Sequence, residues 1–121
     1  SMIPQYTKIK EEIKKNNLYL KAKATLEAGR SFNDVITSGE NSIHAINGAI
    51  GTQNLSGFPT DAYPYGVLLT LNPSLIVGSS SAWNICQIYI PDIPSQSGVF
   101  FRTRTAASWV KLTGTAINPV T

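Results

Sequence analysis

A single histidine, His44, and a single cysteine, Cys86, leave this chain few of the side chains that perform chemistry. One imidazole excludes multi-histidine metal sites and leaves little for acid–base catalysis. One thiol excludes an intrachain disulfide and a thiolate metal cluster within one chain. Amid Trp83, Ile85 and Ile88, Cys86 reads as a small buried hydrophobe. No serine lies in a Gly-x-Ser-x-Gly elbow, and the glycines form neither a P-loop nor a dinucleotide fingerprint. Asp61 and Asp92 would make a glycosidase pair if folding brought them together. With 7 carboxylates spread along the chain, surface solvation is the simpler role of each. These residues predict no catalysis, no cofactor and no metal.

What remains suits holding a ligand better than changing one. Tyr63 and Tyr65 flank Pro64 in a loop, residues 58–66, that also carries Asp61. Flat rings beside short polar groups suit saccharides: the ring stacks on the C–H face of the sugar while a carboxylate, amide or guanidinium holds its hydroxyls. The alternative is that these rings close a core or pack at a subunit contact. Trp83 and Trp109 sit among apolar strand residues and read first as core. Arg102 and Arg104 lie on a strand, where a guanidinium bridges backbone or a carboxylate, or stacks on Trp109. The saccharide candidates are Asp61, Tyr63 and Tyr65, with Trp83 and Arg104 behind them.

The elements that position these residues differ in texture along the chain. Residues 5–23 read as a helix, with Pro4 suited to its first position. Tyr6, Ile9, Ile13, Asn16 and Leu20 recur at alternating spacings of three and four, the pattern of a coiled-coil seam. So short a helix is marginal alone and must pack on its own knob or on copies of itself. Asn16 on the seam would fix register and oligomer number. Beyond residue 26, turn residues punctuate short apolar runs: 35–36, 43–46, 65–71, 85–90, 99–105 and 109–112 read as strands. Alternation puts Val67, Leu69 and Leu71 on one face and Leu68 and Thr70 on the other. Phe100, Arg102 and Arg104 likewise oppose Val99, Phe101 and Thr103. The expected fold is mainly β: a small antiparallel β-sandwich-like knob over residues 26–121, with an extended C-terminal tail, preceded by a helical stem or neck over residues 1–25.

The net charge of +3 is concentrated on that helix, where Lys8, Lys10, Lys14, Lys15, Lys21 and Lys23 stand. A nucleic-acid binder places its basic stripe on the folded surface. The lysines here read as a solvated helix face, so no nucleic-acid partner is expected. No stretch approaches the roughly 20 apolar residues of a membrane span. Ser1 ahead of Met2 reads as an appended residue, and the chain as a piece of a longer protein.

Five segments carry a resemblance when taken in order. They are Phe32-Asn33-Asp34-Val35-Ile36-Thr37-Ser38-Gly39, Tyr65-Gly66-Val67-Leu68-Leu69-Thr70-Leu71, Gln87-Ile88-Tyr89-Ile90, Phe101-Arg102-Thr103-Arg104 and Ser108-Trp109-Val110-Lys111-Leu112. The order resembles the pyocin-knob domain of phage tail fibres and receptor-binding proteins, over roughly residues 26–113. The resemblance implies a compact β knob in a homotrimeric fibre, with a trimeric coiled-coil stem. It implies a virion protein at the tail tip, acting at the host cell surface, with bacterial cell-surface glycan and other tail or baseplate proteins as partners. The alternative it leaves is a purely structural trimerisation or spacer module. The irregular segment 46–58 and the loop 91–98 depart from the usual pattern.

Overall fold

The computed structural model describes residues 2–18, 21–37, 40–48, 56–73, 85–93, 98–103 and 108–121. The chain is mainly β. Helix α1 (Met2–Leu18) is followed by β1 (Lys21–Thr25), helix α2 (Phe32–Thr37), β2 (Ser42–Asn47), β3 (Tyr65–Leu71), β4 (Cys86–Pro91), β5 (Val99–Thr103) and β6 (Val110–Leu112). All six strands join one sheet in chain order. Strands β2 to β6 form an antiparallel meander, and β1 lies parallel to β2 at one edge.

Five of the six expected strands fall where alternation puts them, and β3 spans the predicted residues 65–71. Three expectations are corrected. The helix ends at Leu18, not at Lys23. Asn16 and Asn17 are weak helix formers, and Lys21–Thr25 is drawn into the sheet through pairs such as Ala22 with Ile43. The strand expected at Val35 and Ile36 is helix α2. Ser31 and Asp34 form a reciprocal cap: Ser31 N–H donates to Asp34 Oδ2 at 2.9 Å, and Asp34 N–H donates to Ser31 Oγ at 3.1 Å. Such a cap starts a helix and overrides the strand preference of the two β-branched side chains. Lastly, the described strands make a single sheet where a sandwich was expected, because α2 and the segment 56–63 occupy the place of a second layer.

Strand register sorts the covered face into rows. One row is His44, Leu68, Tyr89, Phe100 and Lys111, each opposite the next. Leu68, Tyr89 and Phe100 from this row, with Ile46, meet Leu26, Phe32 and Val35 to form the core, and Phe58, Ala62 and Trp109 pack against it. The adjacent row is polar throughout: Ser42, Thr70, Gln87 and Arg102. All four are buried. Buried polar groups must find partners, and these do: Gln87 Nε2 donates to Phe32 O at 3.0 Å and Thr70 Oγ1 at 3.1 Å. Its Oε1 accepts from Arg102 Nε at 2.9 Å and Nη2 at 2.7 Å.

Candidate functional site

The edge of the sheet beside β6 holds a cleft. Its floor and walls come from three places: the turn 58–61, Phe100 on β5, and residues 108–111 leading into and along β6. The turn closes through Ala62 N–H donating to Pro59 O at 3.2 Å. Asp61 holds a positive φ of 65° at its third position, which aspartate tolerates better than most side chains. Pro59 is buried, whereas Thr60 and Asp61 are thrown outward.

The segment is anchored from beneath. Gly57 O accepts from Trp109 Nε1 at 2.7 Å. Gly57 has φ +78°, and a β-carbon there would fall 2.3 Å from Asn33 Oδ1 and 3.0 Å from Arg102 Nη2. Only glycine passes so close to the buried guanidinium in that conformation. Arg102 in turn lies over the Trp109 ring, 4.6 Å from its centroid. One face of the indole is therefore occupied by the cation, and Trp109 also lines the cleft.

The cleft encloses about 440 Å³. Phe58, Phe100 and Trp109 give it an aromatic floor, and Thr60, Asp61, Ser108 and Lys111 give it a polar rim. Lys111 Nζ stands 5.6 Å from the Phe100 ring centroid, a cation–π contact that brings its charge to the mouth. The rim thus offers one carboxylate, one ammonium and two hydroxyls above flat apolar surface. That combination accepts and donates hydrogen bonds to a polyhydroxylated ligand.

The predicted site residues divide. Asp61 lines the cleft. Tyr63 and Tyr65 do not; they pack on each other with centroids 5.3 Å apart and rings tilted by 38°. Tyr65 opens β3 with the parity of Val67 and Leu69, so it belongs to the sheet's other face. Tyr63 contributes its carbonyl, which accepts the hydroxyl of the buried Tyr89. Trp83 and Arg104 lie outside the described residues. Asp61 and Asp92 line separate clefts; Asp92 borders a second groove of about 640 Å³ with Pro91, Val99 and Leu112. Cys86 is half-buried, not buried as expected, and its burial raises the thiol above its usual value. Among the described residues no group of histidine, cysteine and carboxylate side chains is placed to hold a metal ion. On the helix, Tyr6, Ile9 and Ile13 are all exposed; Leu20 and the side chain of Asn16 lie outside the described residues.

Phe100, Ser108, Trp109 and Lys111 are the cleft residues outside the loop that the loop-centred reading passed over. Their signal was present: period two puts Trp109 and Lys111 on one face, and the β5–β6 pairing sets Lys111 opposite Phe100. Compared with protein-family models, curated proteins and solved structures, the chain matches none of them. No described helix is long and apolar enough to cross a membrane.

Proposed function

We propose that this chain is the knob of a homotrimeric phage tail fibre or receptor-binding protein, which holds bacterial surface polysaccharide at the cleft beside β6 without cleaving it. The observation that carries the reading is the cleft itself: an aromatic floor of Phe58, Phe100 and Trp109 under a rim of Thr60, Asp61, Ser108 and Lys111. A sugar ring stacks on such a floor and exchanges hydrogen bonds with such a rim. The rim holds Asp61 while Asp92 lies in another groove, which favours holding over hydrolysis, since hydrolysis takes two carboxylates across one bond. The resemblance to pyocin knobs supplies the fibre context. In that context α1 begins a trimeric coiled-coil stem, and each chain supplies one knob, its sheet covered by α2 and the segment 56–63. Three linked copies make a weak single site useful by raising the effective concentration of the others. The protein would act at the tail tip, outside the host cell, attached to other tail or baseplate proteins.

The test is adsorption of the chain to host cells and to their purified surface polysaccharide. Asp61→Ala with Lys111→Ala should lower binding about tenfold or more, each lost charge-assisted hydrogen bond being worth ~1.5–3 kcal/mol. Undiminished adsorption of that double variant removes the cleft from the reading.

A second reading, a structural spacer or trimerisation module, is favoured by one observation. The residues that carry the resemblance, Gln87, Tyr89 and Arg102, are all buried and build the knob. It predicts a stable oligomer that retains no saccharide of any kind on a glycan array.

A further inference from the structure

The sheet is apolar on both faces: the covered one holds the core row of Leu68, Tyr89 and Phe100, and the other is apolar as well. A one-sided antiparallel sheet ordinarily turns its apolar residues to the core and its polar ones to water. Here the covered face carries Ser42, Thr70, Gln87 and Arg102 in one row. The opposite face carries Ile43, Leu69, Ile88, Phe101 and Val110 in register, one on each strand from β2 to β6. A second row, Ala45, Val67 and Ile90, runs beside it. Val67 is 36% exposed, Phe101 37%, Ile90 43%, Val110 45% and Leu112 55%. Among the described residues with this parity on β2 to β6 there is no charged side chain; Asn47, Tyr65 and Thr103 are the polar ones.

We propose that this outer face is a contact between copies of the chain. Charge argues for a second copy as the occupant. A partner attracted by charge would meet the lysines of residues 8–23, whereas the identical neutral faces of the copies converge with no ion left unpaired. Size argues the same way. Five strands at ~4.8 Å spacing and ~3.3 Å per residue present a face of roughly 400 Å². A stable interface takes about 800 Å² from each partner. Further exposed apolar side chains stand on the α1 seam, where Tyr6 is 64% exposed, Ile9 59% and Ile13 57%. The sheet face alone falls short, and an assembly of copies that also joins α1 adds to it. The inference extends the fibre reading, which joins copies through α1, and is independent of the saccharide cleft on the other face.

The experiment is sedimentation velocity of the full chain over a hundredfold range of concentration, for the wild type and for Ile90→Lys with Phe101→Lys. Both positions are exposed in the single chain, so the folded state should survive, checked by circular dichroism. The face variant should weaken association about tenfold or more, as removal of a central apolar contact does. Ile9→Lys with Ile13→Lys should weaken it as well. Unchanged association of a folded face variant overturns the inference. So does a wild type that stays monomeric at every concentration, which would assign the face to a foreign partner. If the face variant does not fold, Cys86 serves as probe, since it shares the outer parity opposite Leu71 and Thr103. Its alkylation by iodoacetamide in the wild type should slow as the chain is concentrated, and a rate independent of concentration overturns the inference. Saccharide binding measured on the same samples separates the readings: its loss with association intact removes the cleft assignment and leaves the contact standing.

Discussion

The guanidinium carbon of Arg102 lies over the indole of Trp109, 4.6 Å from the ring centroid. Arg102 is 3% exposed, and its hydrogen-bond partner among the described residues is the neutral carboxamide of Gln87. A buried cation without a carboxylate is expensive; burial pushes this one down to about 10, and it stays charged at neutral pH. The indole face and the Gln87 oxygen therefore offset the desolvation together. Trp109→Ala should destabilise the chain by ~3 kcal/mol, from lost packing and the exposed cation. Arg102→Met should cost ~2 kcal/mol, since it leaves Gln87 Oε1 buried without a donor. The double variant should cost less than the sum by about 1 kcal/mol. Urea unfolding of the four proteins measures the coupling, and strict additivity would show that the stack contributes nothing.

Gln87 carries the same network from the other side. Its amide spans three partners: Phe32 O on α2, Thr70 on β3 and Arg102 on β5. Gln87→Leu keeps the volume but strips the cation of its acceptor and the Phe32 carbonyl of its donor. The expected loss is about 3 kcal/mol, the size of breaking a buried charged contact. Gln87→Glu should be less damaging at neutral pH, because a carboxylate pairs with Arg102 and accepts from the Thr70 hydroxyl, and the bond to the Phe32 carbonyl is lost. Thermal melts of the two variants test the order, and equal melting temperatures would contradict it.

Much of the fold could be read from alternation alone. Strands β2 to β6 are short apolar runs between turn residues, and period two placed Leu68 with Thr70 and Phe100 with Arg102. Which face is covered could not be read that way. Leu68, Tyr89 and Phe100 are apolar on one face and Val67, Leu69 and Phe101 on the other, and the covered face takes Thr70, Gln87 and Arg102 with the first set because their hydrogen bonds are satisfied there across strands. Such pairing depends on register between segments far apart in sequence. Helix α2 was hidden differently: the cap from Ser31 to Asp34 is a local signal, outweighed by the β-branched Val35 and Ile36. The cleft was half legible. Asp61 stood in a turn of recognisable chemistry, but the Trp109 and Lys111 side of the cleft exists only once β6 pairs with β5.

At Gly66, β3 leaves no room beside the β4 backbone for a side chain. The glycine lies opposite Pro91 in the ladder, and a β-carbon on it would fall 2.2 Å from the Ile90 carbonyl oxygen and 2.9 Å from Pro91 Cα. Both are backbone atoms and cannot swing aside as a side chain would. Gly66→Ala must therefore part the strands where Asp92 N–H donates to Tyr65 O at 2.9 Å. The expected cost is about 3 kcal/mol, at the upper end for overpacking. Amide hydrogen exchange should show the loss at Asp92 before it appears in β2. A variant as stable as the wild type would mean that the ladder opens there at no cost.

Tyr89 makes stability fall in alkali. Its ring is fully buried among Phe32, Phe58 and Phe100, and its hydroxyl donates to the Tyr63 carbonyl. Burial first, and then the negative charge of Asp92, raise this phenol well above its ordinary value of 10.0. In the unfolded chain the same phenol ionises near that ordinary value. The group's contribution is thus fully present below about pH 10 and is lost as pH rises toward the folded phenol's own, higher value. In that window the native state holds a proton that the unfolded state has released, so stability declines by ~1.4 kcal/mol per pH unit from this group. Tyr89→Phe should cost about 1 kcal/mol at neutral pH, for the lost hydrogen bond, but should remove this part of the alkaline decline. The stability curves of wild type and variant should converge above about pH 10 and then cross. Urea unfolding at stepped pH, with tyrosinate absorbance followed in parallel, tests it. Parallel curves through that window would mean that the Tyr89 phenol ionises as readily in the folded chain as in the unfolded one.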